Sequence, residues 1–303
     1  MNTKIAENVL ERAREFIYSS ARLIDRMRFS YLFENGSKNN VLDALRAYQN
    51  RDGGFGNALE PDMRCPDSQP VSTEMGLSIL GEVDAYDSDV FNGVIKYLES
   101  ITLEGGGLPR ATTHVNAYPH APWWTTENDD VPSINPTGSI VGMLLAQKTR
   151  TDFVEEPWFR SHISFLWNRL QAKAPEDFHD AMQWISFLEQ VDKVDVENIA
   201  RAAQYRALLD SWLSGPQGIE KDEAAEGYVH KVLDYAPAPD SYASRLVNEE
   251  EVSRHLDWLI SGQQGDGGWA ITFPAISLAS EQEWRGWMTV DRLKILKAYG
   301  VLK

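Results

Sequence analysis

A chain of 303 residues that is 43% hydrophobic and 24% charged carries enough apolar side chain to bury a sizeable core of its own. Its formal net charge of -16, with no run of Lys and Arg to offset it, argues against nucleic acid and anionic lipid as partners. Cys65 is the single cysteine, which excludes an intrachain disulfide and any CxxC metal or redox motif.

In chain order, the opening stretch MNTKIAENVLERAREF is charged throughout, where a signal peptide would have an apolar centre. No apolar run approaches the roughly eighteen residues that a membrane span needs. The expectation is therefore a cytoplasmic protein with no transmembrane segment. NNVLDALRAYQ then has apolar residues at helical spacing, and QNRDGGFG (49–56) follows it with two glycines and an aromatic. A glycine there takes the left-handed backbone that closes a helix end, and the aromatic folds back over it.

The corner recurs at LEGGGLP (103–109) and GQQGDGGWA (262–270). Gly53 and Gly106 lie about fifty residues apart, and Gly106 and Gly267 about three such steps apart, a long period that marks repeated helical hairpins. Between these corners DSWLSGPQG (210–218) matches DWLISGQQG (257–265), and FLWNRLQAKAPEDFHD (165–180) keeps a helix without the glycines. Less charged second helices are predicted to open at STEMGLSIL (72–80), PTGSIVGMLLAQ (136–147) and MTVDRLKILKAYG (288–300), each with a Thr near its start that suits an N-cap or with Pro in its first turn. The asymmetry in charge suggests inner and outer rings of helices. The prediction is one all-α domain over residues 1–303, an α/α toroid of about five to six helical hairpins.

The Gln-x-x-Asp-Gly-Gly-aromatic pattern, with NALEPDMRCPDSQP, YPHAPWW, INPTGS and WRGWMTVDRLKILKAYG, resembles the α/α toroid superfamily of class II terpene cyclases and protein prenyltransferase β subunits. The resemblance implies an isoprenoid as small-molecule ligand and a carboxylic acid as proton donor. The match to the cyclase acid motif is ENDD (127–130), which nominates Asp129, with Asp130 beside it, although Asn135 and Pro136 stand where the inner-helix ruler would put the acid. Like charges side by side raise one pKa, so two adjacent carboxylates suit the task. The zinc site of the prenyltransferases needs Asp, Cys and His; Cys65 with Asp62 or Asp67 and His114, His120 or His230 has the wrong spacing, so no metal or other cofactor is expected.

Polar loops supply the remaining candidates. Glu60, Asp62, Arg64 and Asp67 lie between a Gly-Gly corner and an inner helix, and Glu283 with Arg285 repeats the theme. Tyr118, His120, Trp123, Trp124, Trp284 and Trp287 are candidate lining residues, with Trp184 also considered, because aromatic faces stabilise cations. In a closed ring the loops 57–70, 114–130 and 283–289 would meet at one mouth. Two further functions stay open: a carbohydrate-active hydrolase or lyase on a helical toroid, for which paired carboxylates and Trp would serve, and a noncatalytic binding protein that has lost the acid.

Overall fold

Three glycines fix the local geometry of this fold. In the computed structural model, which describes residues 3–194 and 198–302 with side chains from Asn8 onward, Gly53, Gly106 and Gly267 have φ of 93°, 89° and 92°. A Cβ on each would lie 2.1 Å from the carbonyl oxygen of Gly93, 2.1 Å from that of Ser161 and 2.0 Å from that of Arg12. Only glycine tolerates both the left-handed backbone and so close a helix. Phe55 and Trp269 are buried behind their corners, and the Trp269 indole N–H donates to the Leu259 carbonyl at 2.8 Å, so the aromatic does fold over the preceding helix.

The described residues form twelve α-helices, 58% of the chain, and one two-stranded sheet. In order these are α1 (Thr3–Ser20), α2 (Leu23–Phe33), α3 (Lys38–Arg46), α4 (Pro70–Glu82), α5 (Asp89–Ser100), α6 (Ile134–Ala146) and α7 (Pro157–Ala172). Then follow α8 (Phe178–Leu188), α9 (Ile199–Leu213), α10 (Val232–Tyr235), α11 (Glu249–Ser261) and α12 (Leu278–Ala298). Strand β1 (Leu108–Pro109) pairs antiparallel with β2 (Pro132–Ser133). The protein is all-α apart from this short ladder.

The chain divides into two compact units, residues 42–212 and residues 1–41 with 213–303. In the first, α4 packs on α6 and α6 on α8. Gly138 and Gly142, one helical turn apart, make the second contact possible: a Cβ on either would collide with Gln183 or Ser186 of α8. In the second unit, α12 packs on α1 and α2.

Two sequence expectations change here. The threonines do not cap their helices. The Thr73 hydroxyl accepts the Phe55 N–H (3.0 Å), Thr137 that of Leu108 (3.0 Å) and Thr289 that of Trp269 (3.3 Å), so each ties a helix to its corner. The last helix begins at Leu278 with a Ser277 capping box, ten residues before the Met288 start predicted from the sequence. The stretch 283–289 is therefore helix, not loop. Gly286 does not break it, because the turn between α1 and α2 passes there, with Ala21 Cβ 3.0 Å and Asp25 Oδ2 3.3 Å from its would-be side chain.

Candidate functional site

Of the three loops expected to meet at one mouth, those at 57–70 and 114–130 are in contact. Arg64 N–H donates to the Pro119 carbonyl and Ala121 N–H to that of Asp62, both at 2.9 Å, and Met63 and His120 form an antiparallel bridge. Glu60 and Asp62 are buried beneath this clasp; Asp67 is exposed and Arg64 half-buried. His120 is held by the Tyr118 carbonyl through Nδ1 (2.7 Å) and by the Thr125 hydroxyl through Nε2 (2.9 Å). Tyr118 and Trp123 are exposed, whereas Trp124 is buried under the Arg110 guanidinium, 5.2 Å from its ring centroid.

Asp129 accepts the Thr113 N–H at 2.5 Å with one oxygen and the Thr113 hydroxyl at 3.1 Å with the other. Both oxygens thus serve the 3-10 turn that starts at Thr113. Asp130 is exposed, with its N–H bonded to Asn128 Oδ1 at 2.7 Å. Cys65 is buried, its Sγ 3.9 Å from Asp67 Oδ2 and 3.7 Å from Gln69 Nε2, and burial pushes its thiol pKa up. No group of three His, Cys, Asp or Glu side chains among the described residues is arranged to hold a metal ion.

The remaining candidates lie on α12 in the other unit. Trp284 packs edge-on against Phe273, with ring centroids 5.4 Å apart. Arg285 binds both oxygens of Asp266 at 2.8 Å and the Trp269 carbonyl at 3.2 Å, and so clamps the Gly267 corner. The Trp287 ring carries the Arg28 guanidinium 3.9 Å above it. Arg28 is buried with Asp25, and its two arms reach Asp25 (3.5 Å) and Asp291 (2.9 Å); Arg22 holds the other Asp25 oxygen at 2.8 Å. Glu283 lies on the same helix.

The sequence reading passed over a further carboxyl. Glu74, next to the corner-binding Thr73 on α4, hydrogen-bonds with the side chains of Ser139 on α6 and Gln183 on α8. Gln183 Oε1 is already taken by the Ser139 N–H at 2.6 Å, so its amide N–H groups face the carboxyl as donors. Burial raises the Glu74 pKa to about 7, only partly offset by the two hydrogen bonds. Yet Glu74 is not sealed from solvent: it is half-buried, as are Met75, Ser139, Met143, Met182 and Ser186 of the same three helices.

The middle corner shows a contrasting buried titratable group. His162 accepts the Gly107 N–H at Nδ1 (2.9 Å) and meets the Thr102 hydroxyl at Nε2 (3.2 Å). Burial lowers its pKa to about 4, so it stays neutral and is spent on structure. At the other corners a glutamine fills this role: Gln49 bonds Val90 and Gly53, and Gln263 bonds Val9 and Gly267, each at 2.9 Å.

No protein-family model matches the chain, and no curated protein does. Among solved structures it is similar to a protein from Actinoplanes, with a TM-score of 0.59 and 14% identity over 97% of this chain and 99% of the other. At that identity the likeness concerns the fold alone. No helix among the described residues is long and apolar enough to cross a membrane.

Proposed function

We propose that this chain is an acid–base enzyme of the α/α toroid type, acting on an isoprenoid-like small molecule that bears an oxygen function, with Glu74 as the group that gives and recovers the proton. The observation that carries the reading is Glu74, a desolvated but accessible carboxyl bonded only to the neutral groups Ser139 and Gln183. With a pKa of about 7 it is present in both protonation states at neutral pH, which is what general acid–base exchange requires. Such a donor is matched to an oxygen, as in an alcohol, an ether or an epoxide. An unactivated alkene calls for a stronger acid. The role thus moves from Asp129 to Glu74, and the chemistry from alkene protonation to protonation of an oxygen.

The apolar half of the reading rests on Met75, Met143 and Met182, half-buried on the helices that carry Glu74, Ser139 and Gln183. Unbranched thioether side chains adapt to a flexible apolar chain. The toroid rests on the repeated glycine corners and on the alternation of a corner-bound helix with an outer one. A glycosidase needs two carboxylates flanking the scissile bond, and no second carboxylate is among the groups acting on Glu74.

The test is incubation with squalene, a prenyl epoxide, farnesol, geranylgeraniol and their diphosphates, with products followed by mass spectrometry and binding by calorimetry. Turnover of an oxygenated prenyl compound is expected, lost by about 10²–10⁴-fold in Glu74→Gln with affinity retained. Absence of any prenyl binding, or full activity in Glu74→Gln, contradicts the proposal.

A further inference from the structure

An amide beside a carboxyl has to be oriented by something else, because its oxygen and its nitrogen have nearly the same shape and opposite hydrogen-bonding character. For Gln183 of α8 the orienting group is the backbone of α6. The side chain is buried, and its Oε1 accepts the Ser139 N–H at 2.6 Å. Turned over, the amide would set its NH2 group against that N–H, donor against donor. The approach is also close: a Cβ on Gly138 would lie 2.7 Å from the Gln183 Cβ and 2.8 Å from its carbonyl oxygen, so α6 meets this residue with bare backbone.

With Oε1 occupied, the amide meets Glu74 through its NH2 group, which can only donate. Ser139 differs, because a hydroxyl donates to a carboxylate and accepts from a carboxylic acid. A carboxyl held by one obligate donor and one two-way partner is no longer symmetric. The oxygen that meets Gln183 is kept as an acceptor, and the proton resides on the other. Charge does not enter: α6 carries no charged residue, and neither His179 and Asp180 of α8, nor Glu82 of α4, nor Asp89, Lys96, Tyr97 and Glu99 of α5, which packs on α4, is among the groups acting on Glu74.

We propose that Gln183 is a positioning residue for Glu74: its amide, oriented by the Ser139 N–H, fixes which carboxyl oxygen accepts and so presents the exchangeable proton from the other. This rests on the reading of Glu74 as the acid–base group and adds the residue that aims it. Gln183 is buried and acts through Glu74, not on the ligand.

The experiment follows the Glu74 carboxyl by carbon NMR across pH in the full chain, for the parent, Gln183→Glu and Gln183→Met. Gln183→Glu keeps an oxygen for the Ser139 N–H and replaces only the NH2 group, so the contact between α6 and α8 is retained. Two facing carboxyls share one proton, and the single step of the parent should become two, separated by more than about one pH unit. Gln183→Met has similar length and no donor; the Glu74 midpoint should rise by about one pH unit or more, because the donor that favoured the carboxylate is gone. A role confined to packing would lower stability and leave the midpoint alone. A new carboxyl in Gln183→Glu that titrates independently of Glu74 overturns the proposal, as does an unmoved midpoint in Gln183→Met. Circular dichroism checks folding, and should Gln183→Met not fold, Gln183→Glu decides. Prenyl turnover is a separate readout. If it is absent while the midpoint responds to Gln183, the catalytic reading of Glu74 fails and the positioning stands; if it depends on Glu74 while the midpoint ignores Gln183, the reverse holds.

Discussion

Two buried acids in this protein have opposite company. Asp25 in α2 is enclosed with Arg22 and Arg28, and Arg28 continues to Asp291 on α12, so burial is compensated by guanidinium charge and by the Trp287 face. Glu74 in α4 is surrounded by a hydroxyl and an amide. Asp25 is fully buried, whereas Glu74 is half-buried. The first arrangement ties helices together through paired charges; in the second, burial raises the pKa of a carboxyl with no cationic partner. A paired buried carboxylate is architecture, whereas an unpaired one at the edge of solvent is chemistry.

The sharpest way to break this contrast is to remove its cation. Arg28→Met leaves Asp25 buried with one partner and should cost about 3–5 kcal/mol in urea unfolding. A loss below about 1 kcal/mol would show that the network is not what holds α2 to α12.

Glu74 should behave oppositely, with removal of its charge stabilising the protein at high pH. Its folded pKa, about 7, lies above the ordinary glutamate value of 4.5, so stability is fully present at low pH and is lost as pH rises through that window. The full loss is roughly 3 kcal/mol. Glu74→Gln should abolish this slope, measured as unfolding free energy from pH 4 to pH 8; an unchanged slope would assign it elsewhere.

The corners provide a like-for-like control, because Gly53 and Gly267 belong to different units and have the same geometry. Gly53→Ala and Gly267→Ala should each cost about 2 kcal/mol or more from backbone strain and collision. Gly105→Ala, with φ of 83° and nothing within 4 Å, should cost less, through strain alone. Equal losses at all three positions would remove the collision from the account.

The smallest effect is expected at Asp129. Asp129→Ala removes the acceptor for Thr113 and should cost about 1 kcal/mol, with turnover of any prenyl substrate unchanged. Loss of turnover without loss of stability would return the proton donor to Asp129.

The corners were legible because Gly-Gly-aromatic after an amphipathic run has few alternatives: a positive φ and a tight approach both demand glycine. The start of α12 was not, since Gly286 between two tryptophans looks like a loop, and only the crossing of Ala21 explains a glycine inside that helix. Thr73, Thr137 and Thr289 were visible, but their bonds to Phe55, Leu108 and Trp269 are tertiary and leave no local signal. Glu74 left one: it is the only charged residue of α4 before the terminal Glu82, and a lone acid in such a helix invites a search for its partner. That the partners are Ser139 and Gln183 depends on the close packing of α6 and α8 at Gly138 and Gly142, which sequence spacing alone does not specify.

The central claim is that Glu74 exchanges a proton near neutrality, and carboxyl carbon NMR reports this directly. With the protein labelled at glutamate side-chain carboxyls and the Glu74 signal assigned by its disappearance in Glu74→Gln, the account predicts a titration midpoint of about 7. A midpoint near the ordinary glutamate value of 4.5 would mean that water reaches the carboxyl freely, and the acid–base role would fall with it.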